Sequence, residues 1–193
     1  MSLEFVLSGF ADELRDQKVE RARWDKSEGG VEDRYSVFQQ DLEYQIKCFK
    51  EMDIRFIELR QVGGVGIGEM NNQEKEYIAN RFKETGMQIS ALGTGDGKVN
   101  ISDDMAAHYA KFQGLVDTAN WFKSQGVFDD PALRIFSYYN KGDKKYTKDA
   151  WGQSAVAELR KRAQYASQKG VKLWLENEFL LYGDTAIDSV QIA

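Results

Sequence analysis

The chain of 193 residues, 42% hydrophobic and 30% charged, has room for one sizeable core, or two small ones at the outside. Its formal net charge of −5 argues against a nucleic-acid surface, which carries a basic face. No apolar run is long enough to cross a bilayer, no secretory leader is expected, and the single Cys48 cannot form an intramolecular disulfide, so a reducing cytoplasm is the expected compartment.

In chain order, residues 4–10 (EFVLSGF) predict a first strand that runs into Asp12 and Glu13. Residues 15–40 are rich in charge and keep no sustained apolar period. They read as an insertion over the mouth of a sheet, helical in part or disordered, and a candidate lid; Trp24 and Phe38 weigh against pure disorder. Asp41 is a plausible cap for a helix that sets Leu42, Ile46, Phe49 and Met52 on one face. A second strand over 54–60 leads to a glycine-rich turn at 63–68. A helix over 73–85 follows, closed by Gly86, and then a third strand over 87–93. A flexible loop over 94–103 precedes a long helix over 104–125 closed by Gly126. The fourth strand covers 132–138, and a polar loop with Lys141, Lys144 and Lys145 leads to a helix over 149–169. The fifth strand opens the stretch 171–182 (VKLWLENEFLLY), an apolar run that stops abruptly at Glu176-Asn177-Glu178.

Strand and helix alternate, with glycines after helices and polar residues after strands, which predicts a parallel sheet covered by helices. In such sheets ligands bind at the carboxyl ends of the strands. Those ends carry Asp12, Glu13, Glu58, Arg60, Lys98, Arg134, Ser137, Glu176 and Glu178. Alternation places Glu176 and Glu178 on one face of the strand and Asn177 on the other. Two carboxylates there are costly to bury unless a cation, a proton or a substrate lies between them, which points to a metal or acid/base site. The competing reading is a strand cap at Glu176 and a solvated loop at Glu178.

The glycine-rich segment 93–98 fits neither a dinucleotide fingerprint nor a phosphate loop, because Lys98 stands where a third glycine belongs and Val99 replaces the Ser or Thr that binds magnesium. His108, the one histidine, falls inside a helix and reads as a packed or surface residue, so no Ser-His-Asp arrangement is expected. Residues 186–193 begin a helix that stops after about two turns without a stop signal, so the chain reads as cut in mid-fold.

The ordered segments Leu7–Leu14, Phe56–Arg60, Gly97–Val99, Arg134–Tyr138, Leu175–Glu178 and Tyr182–Thr185 resemble the sugar phosphate isomerase/epimerase family, the xylose-isomerase-like TIM barrels. The resemblance covers nearly the whole chain outside residues 15–40. It implies one partial α/β domain over 1–193, a parallel (β/α) TIM-barrel type with about five of eight βα units, truncated after the fifth strand. It also implies proton transfer beside a sugar carbonyl through an enediolate, with a divalent metal (manganese, magnesium, zinc or cobalt) at the carboxyl end of the barrel. The fifth-strand metal ligand maps onto Glu176, while the ligands of the sixth to eighth strands have no counterpart. Metal binding is therefore expected to be absent or weak in a truncated chain. Glu178 joins Glu176 as a catalytic candidate. Glu58, Arg60, Lys98, Arg134 and Ser137 are the substrate-binding candidates, with ion pairs to neighbouring acids the competing reading for the three cations.

The expected partner is a small sugar or sugar phosphate, with no nucleic acid and no membrane, and a homo-oligomer can form through exposed sheet edges. The alternative is a non-catalytic fragment or sugar-binding protein of the same fold that lacks a competent metal site. An endonuclease of the same superfamily fits the acidic charge least well, and a five-strand doubly wound domain has no nucleotide motif behind it.

Overall fold

The computed structural model describes residues 8–10, 33–141, 146–185 and 188. Expectations for residues 4–7, Asp12, Glu13, 15–32, Lys144, Lys145 and most of 186–193 lie outside them. The chain divides into two compact units, residues 1–92 with 121–129, and residues 93–120 with 130–193.

In the first unit, β1 (Ser8–Phe10) pairs in parallel with β2 (Phe56–Leu59), and β2 in parallel with β5 (Gln88–Gly93). Helix α1 (Arg34–Glu51) precedes β2. It begins at Arg34 instead of Asp41, because Asp33 caps it, accepting the Tyr35 N–H at 3.3 Å, and because Val37 and Phe38 extend the buried stripe through Leu42, Ile46 and Phe49. The last residues of the expected insertion, 34–40, are thus ordinary amphipathic helix. Asp41 is a buried interior residue whose carboxylate accepts from Gln45 Nε2 at 2.8 Å and from the Gly63 N–H at 2.6 Å. Met52 is not core: it ends the helix, 48% exposed.

The glycine-rich turn is a small antiparallel hairpin, β3 (Gln61–Val62) and β4 (Val65–Gly66), around Gly63 and Gly64, both at positive φ. A Cβ on Gly63 would lie 2.8 Å from the Phe38 Cα, so the hairpin lies directly on α1. Helix α2 (Asn72–Thr85) starts with a reciprocal capping box between Asn71 and Glu74 and ends at the left-handed Gly86 (φ 74). Ile57, Leu59, Ile78, Phe82 and Ile89 form the centre of this unit's core.

The second unit holds most of α3 (Met105–Ser124), then β6 (Ala132–Ile135), α4 (Lys148–Gln168) and β7 (Lys172–Leu175). Thr147 caps α4, accepting the Ala150 N–H at 3.3 Å. Strands β6 and β7 pair in parallel, Ala132 opposite Lys172 and Ile135 opposite Leu175. Every residue of β6 is buried, the pattern of a strand covered on both faces. On β7, where that pattern was expected, Lys172 and Trp174 are exposed and Leu173 and Leu175 half-buried. Among the described residues only β6 pairs with β7, so nothing covers its second side. Strand followed by covering helix, with parallel pairing, is the arrangement of a (β/α) barrel type; five such strands are described, against eight in a full barrel.

Helices α1 and α2 are clamped by Glu43, whose carboxylate accepts from Arg81 Nε at 2.5 Å, Arg81 Nη2 at 2.7 Å and the Tyr77 hydroxyl at 2.8 Å. The Arg81 hydrogen bonds hold the Glu43 carboxyl below its ordinary range, and burial pushes the Tyr77 hydroxyl up to about 12. A lowered carboxyl stabilises the fold above its unfolded value, and that gain is lost as pH falls through the folded value. With both side chains partly exposed, Glu43→Gln is expected to cost about 0.5–1 kcal/mol at neutral pH. Urea unfolding should show this difference from wild type shrinking as the solution is acidified below the ordinary carboxylate range.

Candidate functional site

In the second unit the segment after β5 lies along the segment after β6. Thr94 donates twice to the Arg134 carbonyl, from N at 3.2 Å and from Oγ1 at 2.7 Å. Phe136 N donates to the Asp96 carbonyl at 2.8 Å, Tyr138 N to that of Gly97 at 2.9 Å, and Tyr139 N to that of Val99 at 2.9 Å. Residues 95–98 form a turn closed by the Lys98 N–H on the Gly95 carbonyl at 3.0 Å, with Gly97 at φ 86 in its third position. A Cβ on Gly97 would fall 2.0 Å from the Phe136 carbonyl oxygen, so only glycine lets the two segments approach this closely.

Four of the charged residues expected at the strand ends come together here. The Arg134 guanidinium pairs with the Glu176 carboxylate, and Lys98 Nζ with that of Glu178 at 2.6 Å. Both cations rest against one ring: Lys98 Nζ is 4.1 Å and the Arg134 guanidinium carbon 5.1 Å from the Phe136 centroid. The Glu176 N–H continues the β6–β7 ladder onto the Ile135 carbonyl at 3.0 Å, which fixes where its side chain starts. The Tyr139 hydroxyl donates to Glu178 at 3.5 Å, and Lys141 Nζ stands 3.7 Å over the Tyr139 ring. Arg134 is nearly buried, whereas the Lys98, Glu176 and Glu178 side chains are each about a third exposed. The outcome is a pair of neutral ion pairs on one ring, partly open to solvent, in which an anionic group would have to displace a glutamate from its cation.

Three other expected site residues have the following surroundings. Ser137 is fully buried, and its hydroxyl accepts the Gly183 N–H at 2.8 Å, holding the turn after β7. Glu58 and Arg60 belong to the first unit. Glu58 sits just past a register shift between Ile57 and Glu58 on β2, opposite Ala91, and the Arg60 carbonyl accepts the Ile67 N–H at 2.9 Å. His108 is half-buried on α3, as a helix interior predicts.

The residues that sequence reasoning passed over are Asp96 and Arg162. Arg162, fully buried on α4, donates from Nε to Asp96 at 2.8 Å and from Nη1 to Glu158 at 2.7 Å. Its signal was periodicity: it shares a buried stripe with Ala155, Leu159 and Ala166. Burial pushes the Asp96 carboxyl above its ordinary range despite the pull of Arg162. Burial opposes the charge on Arg162 too, yet Asp96 and its hydrogen bonds keep that group above its ordinary value. Burial also pushes the Tyr138 hydroxyl well up. Among the described residues no group of three or more His, Cys, Asp or Glu side chains is gathered as a metal ion requires.

No protein-family model matches the chain, and no curated protein sequence matches it. Solved structures do. One is a xylose isomerase-like TIM barrel protein from Mycobacterium smegmatis in complex with magnesium, with a TM-score of 0.59 and 17% identity over 80% of this chain and 52% of that one. A D-allulose 3-epimerase from Methylomonas sp. in complex with D-allulose gives 0.60 and 14%, over 96% and 56%. The probable 3-DHS dehydratase of petrobactin synthesis from Bacillus anthracis gives 0.63 and 18%, over 97% and 58%. The chain has the fold of the xylose isomerase-like TIM barrels and spans a little over half the length of these solved structures.

The close approach at Gly97 makes a direct test of this geometry. Gly97→Ala must adopt positive φ and push the Phe136 backbone away, so it is expected to lose about 3 kcal/mol in denaturant unfolding. Gly95→Ala, where a Cβ meets nothing within 4 Å, should stay within about 0.5 kcal/mol of wild type.

Proposed function

We propose that the chain acts on a small sugar or sugar phosphate as an isomerase or epimerase, moving a proton on and off a carbon next to the carbonyl. The observation behind this reading is the pairing of Glu176 with Arg134 and of Glu178 with Lys98 around the Phe136 ring, on a fold shared with a D-allulose 3-epimerase. In the proposed step the Glu178 carboxylate takes the proton from the carbon beside the carbonyl. The C–H electron pair becomes the enediolate double bond, and the carbonyl oxygen takes the negative charge. Lys98 and Arg134 donate hydrogen bonds to that oxygen, worth most where charge develops. Return of the proton to the former carbonyl carbon gives isomerisation, the neighbouring hydroxyl passing its O–H proton through Glu176 to the former carbonyl oxygen as it becomes the new carbonyl. In epimerisation a solvent proton reaches the opposite face of the same carbon and Glu178 returns its own proton to solvent. Glu176 holds Arg134 in place and accepts from sugar hydroxyls.

A divalent metal is not carried into this step. The similar protein from Mycobacterium smegmatis is a magnesium complex, but among the described residues no three His, Cys, Asp or Glu side chains are gathered as a metal ion requires, and Glu176, the expected ligand, pairs with Arg134. The described residues do not fit a resident metal. That observation favours a second reading, a sugar-binding protein of the same fold without catalysis. Exposed Trp174, Phe179 and Leu180, on and after β7, support association of copies through this edge, and a cytoplasmic setting fits both readings.

Incubation with D-allulose in deuterated water, followed by proton NMR, separates the readings. Catalysis predicts deuterium beside the carbonyl, slowed at least about 100-fold in Glu178→Gln. Saturable sugar binding without exchange selects the second reading, and neither binding nor exchange of D-allulose or its phosphate ester overturns both. Association through the edge predicts an apparent mass in light scattering that rises with concentration and falls toward the monomer in Trp174→Lys.

A further inference from the structure

Arg162 is expensive where it stands. Its side chain is fully buried, its Nη2 has no hydrogen-bond partner among the described residues, and the rings of Tyr109, Phe112 and Tyr138 lie with centroids 5.7, 5.5 and 5.4 Å from the guanidinium carbon. Apolar side chains of similar volume commonly replace such a buried ion pair with no loss of stability, so a contribution to folding does not by itself account for it. What Arg162 holds is the second residue of the 95–98 turn.

We propose that Arg162 is a positioning residue for the candidate site: by gripping Asp96 on the inner side of the turn, it sets the Lys98 ammonium that the same turn delivers to Glu178. The inference deepens the reading of Lys98 and Glu178 given above. Four contacts carry it. The Asp96 carboxylate runs inward to Arg162 Nε at 2.8 Å. The Asp96 carbonyl accepts the Phe136 N–H at 2.8 Å, so the residue gripped by Arg162 also fixes the ring under Lys98. Lys98, two residues on, lies 4.1 Å over that ring with its ammonium 2.6 Å from Glu178. A lysine has four rotatable side-chain bonds, and a partly exposed ion pair holds such a chain weakly. The placement of Lys98 is therefore inherited from the turn backbone, and the turn is held from inside by Arg162. Rotation of the turn about its ends would carry Lys98 off both the ring and the glutamate.

The ring gives the test a readout that overall stability does not move. Lys98 side-chain protons over a phenyl face are shifted upfield by the ring current, and this is visible in carbon–proton correlation spectra of the whole chain, with Lys98→Ala assigning the signal. Asp96→Asn keeps the side chain's shape but loses the charge that grips Arg162, and Arg162→Lys keeps a charge but loses the planar fork. The proposal expects the upfield shift to collapse to the position of exposed lysines in both, with backbone amide dispersion retained. Glu158→Gln, which touches Arg162 and not the turn, should leave it unchanged. An unaltered Lys98 shift in folded Asp96→Asn or Arg162→Lys overturns the proposal. So does unfolding of both, which makes Arg162 a scaffold residue only. No sugar enters the measurement, so failure of deuterium exchange with D-allulose and failure of this inference are told apart.

Discussion

The Phe136 ring, with two cations against it and a carboxylate on each cation, is the arrangement on which the candidate site depends. A cation is attracted to the face of an aromatic ring, and here each cation that rests against Phe136 also keeps an anionic partner. Glu176 and Glu178 supply those partners because they follow β7, whose parallel register with β6 brings the residue after Leu175 beside Ile135 and within reach of Arg134. Lys98 arrives from the segment after β5. One ring therefore collects side chains from three strand ends, which is how an α/β fold of this type builds a site from residues far apart in sequence.

Glu176, the acid expected to hold a metal ion, is paired with Arg134, and among the described residues no three His, Cys, Asp or Glu side chains are gathered as a metal ion requires. The likeness to a magnesium-bound barrel protein is one of fold, over about half that protein's length. The paired charges are the basis of the proposed reading, in which their donors and acceptors meet sugar hydroxyls and an oxygen that gains charge during the reaction.

Much of this was legible in the sequence, for identifiable reasons. Glu176 and Glu178 announced themselves because an apolar run ended abruptly on acids, and Arg134 and Lys98 because each followed or sat in a strand-to-helix segment. The competing ion-pair reading of Lys98 and Arg134 describes their geometry equally well, since both do pair with a glutamate. Ser137 sat in the right stretch, but hydroxyls satisfy backbone as readily as ligands, and here it takes Gly183. Helix α1 starts earlier than expected because Phe38 and Val37 were credited to an irregular segment whose charges masked the stripe. Strand β7 was expected to be buried from its composition, yet burial is set by neighbours, and composition cannot report whether a neighbour is there. Arg162 stayed hidden because an arginine in a lysine- and arginine-rich helix looks solvated unless the apolar stripe is followed through it.

The Arg134–Glu176 pair links β6 and β7 in geometry, and the same link should be energetic. A double-mutant cycle on Arg134→Met and Glu176→Gln, followed by denaturant unfolding, measures that link most directly. A coupling of about 1 kcal/mol is expected, with the double variant costing less than the two single changes together. Strict additivity, each change costing the same whether or not the other is present, would contradict it.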